Sequence, residues 1–455
     1  MQVPGNAAAD WLTPAASAAV SASVRLPGSK SMTNRALVLA ALADAPTTIV
    51  GPLEARDTAL MTAAITALGA TVDTRQQAGN GTGGQPSWTV KPGWRSGTTR
   101  VDVGNAGTVL RFVPPAAALT TADVEFGGDA RAAERPVGQL LAGLRQAGVE
   151  IADGGRGAVP FIVRGRGRVA GGSVTLDASS SSQLVSGLML AAPRYERGLQ
   201  ITHQGGRVPS APHIAMTVAM LIAAGANVEP GTADSPAGPA GSPPRVPDRW
   251  LVRPGRLAPG TITVEPDLSN AAPFLAAALV TGGRLTIPGW PAVSLQAAGQ
   301  IADVLSQMGA LVRPSPTGLA IEGTGKIHGI TADLRDINEL VPVLTALAAL
   351  ADSPSEFTGI AHMRQHETDR LAALAQEIGA LGGHVIELPD GLAVRPRPLR
   401  AGSEPFDSHD DHRLVMAAAV LGLAVPGVRV RNAATVGKTF PAFRSLWLQM
   451  LGQAP

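Results

Sequence analysis

One local pattern recurs six times along this chain, and it limits the folds open to it. A short β-rich run leads into small polar residues and then into an Ala/Leu-rich helix. The copies stand at residues 24–41, 101–118, 174–192, 262–279, 330–349 and 406–423. They lie on the order of 75 residues apart, too far for a solenoid, so each copy reads as a small α/β unit. A second helix is expected in each. The first five should end at Gly69, Gly148, Gly225, Gly309 and Gly382 before the chain re-enters a strand. Glycine is the usual residue in the left-handed conformation that follows a last helical turn. The sixth second helix is expected at 441–451. Six units in 455 residues are too many for one ordinary core and suggest two lobes of three.

Composition narrows the functional classes. The 37 basic and 35 acidic residues leave a net charge of +2, which does not suggest a nucleic-acid coat. Cysteine is absent, which excludes disulfides, thiolate metal sites and thiol nucleophiles. The eight histidines show no HExxH-type pair. Asp10 and Pro14 interrupt an N-terminal stretch that lacks the basic start of a signal peptide. The apolar run 414–428 contains Pro426 and falls short of a membrane span. A soluble, cytoplasmic protein is expected. Residues 1–17, rich in Ala, Pro and Ser, are expected to be disordered. The Pro/Gly-rich run 229–248 reads as an inserted surface loop, and 76–87 as a second, Gly-rich one.

The chemistry should lie where strands turn into helices. In the first copy Pro27-Gly28 ends the strand and Ser29-Lys30-Ser31 opens the helix, with Arg35 one turn on. Ser29 or Ser31 could cap that helix. A helix start with two cations and hydroxyls suits a phosphate or carboxylate. A nucleotide-binding P-loop is excluded by order, since it needs Gly directly before Lys. Later turns carry Gly107 before Arg111, then Arg131 and Arg135, then Ser179 to Ser182 with Gln183, then Ser210. The second half adds acids at helix starts: Asp333, Asp336 and Glu339, then His366-Glu367-Thr368-Asp369-Arg370, then Asp410-Asp411-His412-Arg413, with Lys438 before the last helix. Such an acid is more often a cap than a catalyst, and a serine run more often a loop.

In order and spacing, GSKSMTNRALVLAAL, GNAGTVLRF, ERPVGQL, SSSQLVSGLML, HETDRLAAL, DDHRLVMA and KTFPAF resemble the enolpyruvylshikimate phosphate synthase family. The resemblance runs from about residue 20 to residue 451. It implies a two-lobed, inside-out α/β barrel of six βαβαββ repeats, three per lobe, with ligands bound in a cleft between lobes that close on them. The expected lobes are residues 1–30 with 256–455, and residues 31–255. The implied activity transfers the enolpyruvyl group of phosphoenolpyruvate to the 5-hydroxyl of shikimate 3-phosphate, in chorismate and aromatic amino-acid synthesis. No metal, cofactor, nucleic acid or membrane is implied, and a monomer is expected.

The resemblance also implies residue roles. Lys30, Ser31, Arg35, Ser181, Ser182, Gln183, Ser210, Glu339 and His366 would contact shikimate 3-phosphate. Lys30, Gly107, Arg135, Gln183, Arg370, Arg413 and Lys438 would hold phosphoenolpyruvate. Glu339 would take the proton of the attacking hydroxyl, Glu367 would protonate the methylene carbon, and Lys30 completes the catalytic set. The chain departs from many relatives at three positions. His366 replaces a lysine, so a cation titratable near neutral pH is expected there; His362 replaces an asparagine, and Phe112 a proline. Two alternatives stay open. One is the sister transferase acting on UDP-N-acetylglucosamine. The other is a non-catalytic anion- or RNA-binding α/β module, whose binding would be steeply salt-dependent.

Overall fold

The computed structural model describes residues 10–75, 85–231 and 247–454. The chain divides into two compact units, Gly28–Glu265 and Met1–Pro27 with Pro266–Pro455. Each has its own apolar core.

The unit Gly28–Glu265 contains helices α1 (Lys30–Leu42), α2 (Arg56–Ala67), α3 (Gly107–Ala117), α4 (Gly138–Gln146), α5 (Gln183–Ala191) and α6 (Ala211–Ala223). Three four-stranded sheets accompany them, and all have one plan. In the middle one, Ser96–Asp102 pairs in parallel with Thr121–Gly127, which pairs antiparallel with Phe161–Arg164, and that strand with Glu150–Ala152. A parallel pair needs a helical crossover and an antiparallel pair needs only a hairpin, so the plan is βαβαββ. The helices divide into two kinds. Every residue of α3 is buried, and so is nearly all of α1 and α5. A helix buried on every side must be surrounded, and α1, α3 and α5 pack on one another. In contrast, α2 and α4 bury one stripe.

The other unit repeats the arrangement with α7 (Leu268–Thr281), α8 (Ile301–Gln307), α9 (Val341–Ala349), α10 (Arg370–Ala380), α11 (His412–Ala424) and α12 (Phe443–Met450). Here α7, α9 and α11 form the mutually packed centre. Two of its sheets follow the same plan. The third has three strands, because Trp11–Leu12 pairs antiparallel with Arg429–Arg431 where the other sheets have a hairpin. Gly69, Gly148, Gly225, Gly309 and Gly382 all take positive φ, between 91° and 114°, as the repeat requires.

Several expectations are corrected. The strand leading into α1 is Ser21–Ser23, paired with Arg284–Pro288, and it ends four residues before Pro27. No side chain caps α1: Ser29 is buried, and its carbonyl instead accepts from the Thr33 hydroxyl at 2.8 Å. Residues 1–9 of the expected disordered stretch lie outside the described residues, but 10–17 are ordered. Trp11 is buried edge-on to Phe443, and the Thr13 hydroxyl donates to the Val428 carbonyl. One buried tryptophan outweighs a low-complexity composition. The units divide at 27/28 and 265/266 instead of 30/31 and 255/256, because Thr261–Thr263 pairs in parallel with Thr47–Val50. Of the two inserted loops, 232–246 and 76–84 lie outside the described residues. Val228–Gly231 and Arg249–Val252 pair as antiparallel strands on either side of the longer one, so 229–231 are strand.

Candidate active site

Two groups of polar side chains stand at helix starts, one in each unit. In the unit Gly28–Glu265, the Lys30 ammonium lies 3.4 Å from an oxygen of Asp57, whose side chain is buried at the start of α2. One turn along α1, the Asn34 amide donates to the Thr108 hydroxyl at 2.7 Å, tying α1 to α3. Next to Thr108 is Gly107. A Cβ there would lie 2.6 Å from Arg135 Nη2 and 2.9 Å from Arg111 Nη1, so the missing side chain is what lets two guanidiniums approach. Arg135 donates to the Asn105 carbonyl at 2.8 Å. Arg111 donates to Pro136 O and, at 3.0 Å, to Gln183 Oε1. Gly107, Arg111, Arg135 and Gln183 thus form one linked group, on the same unit as the Lys30–Asp57 pair. Ser181 adjoins it, its Oγ accepting from the Gln183 N–H; Ser182 is buried beside it.

Arg35 is more enclosed than an open cation. It is 1% exposed; Nε donates to Thr217 Oγ1 at 2.7 Å, Nη1 to the Ser31 carbonyl and Nη2 to the His213 carbonyl. Its guanidinium also lies over the Phe112 ring, 5.0 Å from the centroid. It therefore joins the starts of α1 and α6. Ser210, left-handed at φ 51°, opens α6 three residues before His213.

In the other unit the centre is Arg370 at the first position of α10. Nε donates to Asp411 Oδ2 at 2.6 Å, and Nη2 to Asp411 Oδ1 at 3.2 Å and to Glu367 Oε2 at 2.9 Å. Nη1 contacts His366 Nδ1 at 3.1 Å. Burial alone would lower the pKa of this guanidinium. Asp411, Glu367 and, through its charge, Glu339 outweigh burial and hold it above its ordinary value. Glu339 itself is half-buried on the 3-10 turn Arg335–Leu340. Lys438 lies 3.7 Å from the second oxygen of Glu367, so this carboxylate bridges two cations. Arg413, at the start of α11, donates to the carbonyl and hydroxyl of Ser269 at the start of α7.

The acids at helix starts now separate by role. Asp267, Asp369 and Asp411 accept from backbone N–H groups and cap α7, α10 and α11. Glu367 is turned to Arg370 and Lys438. Sequence reasoning did not assign roles to Asp57, Arg111, Ser269 or Asp411. Arg111 and Asp411 lie inside the GNAGTVLRF and DDHRLVMA motifs; Asp57 and Ser269 meet their partners only through the fold. Nδ1 of His366 faces Arg370 Nη1, a group that can only donate.

No helix among the described residues is long and apolar enough to cross a membrane. The family model for EPSP synthase (3-phosphoshikimate 1-carboxyvinyltransferase) matches residues 14–447. An EPSP synthase from Acinetobacter baumannii superposes with a TM-score of 0.73 at 24% identity, over 97% of each chain. The enolpyruvyl transferase NikO from Streptomyces tendae superposes at 0.70 with 18% identity, over 96% of each. At these identities the structures show a shared fold.

Proposed function

The chain belongs to the EPSP synthase (3-phosphoshikimate 1-carboxyvinyltransferase) family, and on that premise we propose how its own residues divide the work of enolpyruvyl transfer. The reaction moves the enolpyruvyl group of phosphoenolpyruvate to the 5-hydroxyl of shikimate 3-phosphate and releases phosphate. Both substrates are anions, and each unit offers cations at helix starts. Lys30, Gly107, Arg135 and Gln183 of one unit and Arg370, Arg413 and Lys438 of the other hold phosphoenolpyruvate. Ser31, Ser181, Ser182 and Ser210, with Lys30 and Gln183, hold shikimate 3-phosphate; Arg35 backs them by fixing the carbonyls of Ser31 and His213. His366 and Glu339 lie on its reacting side.

The steps balance as follows. The 5-hydroxyl oxygen bonds to C2 of phosphoenolpyruvate while Glu339 takes its proton. Glu367 gives a proton to the methylene carbon, and a tetrahedral intermediate forms. Return of a methyl proton to Glu367, with cleavage of the C2–O bond to phosphate and passage of the Glu339 proton to the departing phosphate, then gives the enol ether and inorganic phosphate. Positioned acids and bases of this kind contribute about 10²–10⁴-fold.

The observation that carries the assignment is Glu367 bridging Arg370 and Lys438. An anionic substrate competes with Glu367 for both cations. Binding therefore releases the Glu367 carboxyl from both cations for its role as the proton donor. Monomeric, cytoplasmic action belongs to the same reading. The test is phosphate release from phosphoenolpyruvate with each acceptor in turn. Turnover with shikimate 3-phosphate and none with UDP-N-acetylglucosamine is expected, and the reverse would replace the substrate assignment.

A further inference from the structure

A guanidinium has five N–H donors and no acceptor. In Arg370 one Nε and two Nη2 donors go to Asp411 and Glu367, and one Nη1 donor goes to Nδ1 of His366. That last bond dictates the state of the ring. Nδ1 can accept only with its lone pair free, so the imidazole is neutral and carries its proton on Nε2. A protonated ring would set an N–H against an N–H, and the bond would be lost. The bond also sets a direction. Both hydrogens of Nη1 lie in the guanidinium plane, so fixing one fixes the other, and the other is the fifth donor.

The cationic Arg370, 3.1 Å from Nδ1, opposes a second positive charge on the ring. His362 meets His366 edge-on, with centroids 5.4 Å apart at 67°. It is neutral as well: burial pushes it down to about 4, Arg335 and Arg370 push the same way, and Asp390 opposes them. Around Arg370 stand Asp411, Glu367 and Glu339, with Lys438 on the far oxygen of Glu367. Arg364, on the 3-10 turn that carries His362, is occupied by Asp369 and Glu387.

We propose that His366 is a positioning residue for Arg370: as the neutral Nε2–H tautomer it fixes Nη1, and so aims the remaining Nη1 hydrogen at the anionic group of phosphoenolpyruvate. This rests on the reading of Arg370 as a phosphoenolpyruvate ligand. It reverses the simpler expectation that position 366 supplies a positive charge.

Two measurements test it. Long-range ¹H–¹⁵N correlation of the histidine rings in the ligand-free wild-type protein, with His366→Gln for assignment, should show His366 as the Nε2–H tautomer near neutral pH. An Nδ1–H tautomer, or a charged ring at mildly alkaline pH, would overturn the proposal. Steady-state kinetics on the wild type, His366→Lys and His366→Gln follow, from about pH 5.5 to about pH 8.5. Lysine cannot accept from Nη1, so its KM for phosphoenolpyruvate should rise by about tenfold, and by clearly more than its KM for shikimate 3-phosphate. Glutamine can accept through its amide oxygen and cannot titrate. It should recover most of that loss and flatten the acid limb of kcat/KM. Equal KM changes for both substrates, or no recovery with glutamine, would show that His366 does not act through Arg370. A wild type that turns over neither acceptor would instead remove the functional reading and leave the tautomer result to be judged on its own.

Discussion

Arg370 and Asp411 meet through two hydrogen bonds, Nε to Oδ2 at 2.6 Å and Nη2 to Oδ1 at 3.2 Å, with side-chain exposures of 3% and 0%. The same Asp411 carboxylate accepts from the Arg413 N–H and caps α11. One acid therefore orients one arginine and the helix that begins with another. Removing one partner of such a pair leaves a buried charge uncompensated. Asp411→Asn keeps the shape and can still cap, so its effect reports the charge. Urea unfolding should show a loss of about 3 kcal/mol. A loss within the scatter of a surface substitution would mean that the pair does not hold Arg370.

Gly107 makes a different kind of demand. Its added Cβ would meet the far ends of Arg135 and Arg111, which are flexible enough to move aside. Gly107→Ala should therefore leave thermal stability nearly unchanged while displacing the cations. Its KM for phosphoenolpyruvate should rise by about tenfold or more, with a smaller effect on kcat. Unchanged KM would dissociate this gap from the anion site.

His362 gives the chain a specific acid sensitivity. Its pKa is about 4 in the folded protein against an ordinary 6.5, so between these values the unfolded chain binds more protons. Stability from this residue is full above about pH 6.5 and falls as the pH drops toward 4. At about pH 5 the loss is about 2 kcal/mol. In His362→Gln the difference in unfolding free energy between about pH 8 and about pH 5 should shrink by that amount. An identical pH dependence in the variant would rule out His362 as its source.

The proposed acid and base can be separated from binding. Glu339→Gln and Glu367→Gln should each lower kcat by about 10²–10⁴-fold with modest changes in substrate affinity, measured by isothermal titration. Near-wild-type turnover in both would remove their roles. Lys30→Met should abolish turnover with the fold retained by circular dichroism, and an active variant would reduce Lys30 to the ion partner of Asp57.

The repeat was legible because its signals are local. Gly69, Gly148, Gly225, Gly309 and Gly382 each mark a helix end through their own backbone conformation, and a predominantly apolar helix such as α9 announces burial by composition alone. Helix-start motifs, such as those that carry Lys30 and Arg370, are local signals of the same kind. Asp57 and Ser269 were not, because nothing near Asp57 in sequence points to Lys30, and Ser269 lies 144 residues from Arg413. The N-terminal strand was missed for a related reason. Its single informative residue, Trp11, is satisfied by Phe443 and by pairing beside Val430, both supplied from the far end of the chain.

That last pairing bears on biosynthesis. The unit Gly28–Glu265 is continuous, so all of its strands exist once residue 265 has left the ribosome. The other unit must hold its opening segment unmatched until Arg429–Arg431 and Phe443 have been translated. Nascent chains stalled before residue 429 should carry one folded half and an exposed Trp11, and these are the intermediates that chaperones would meet.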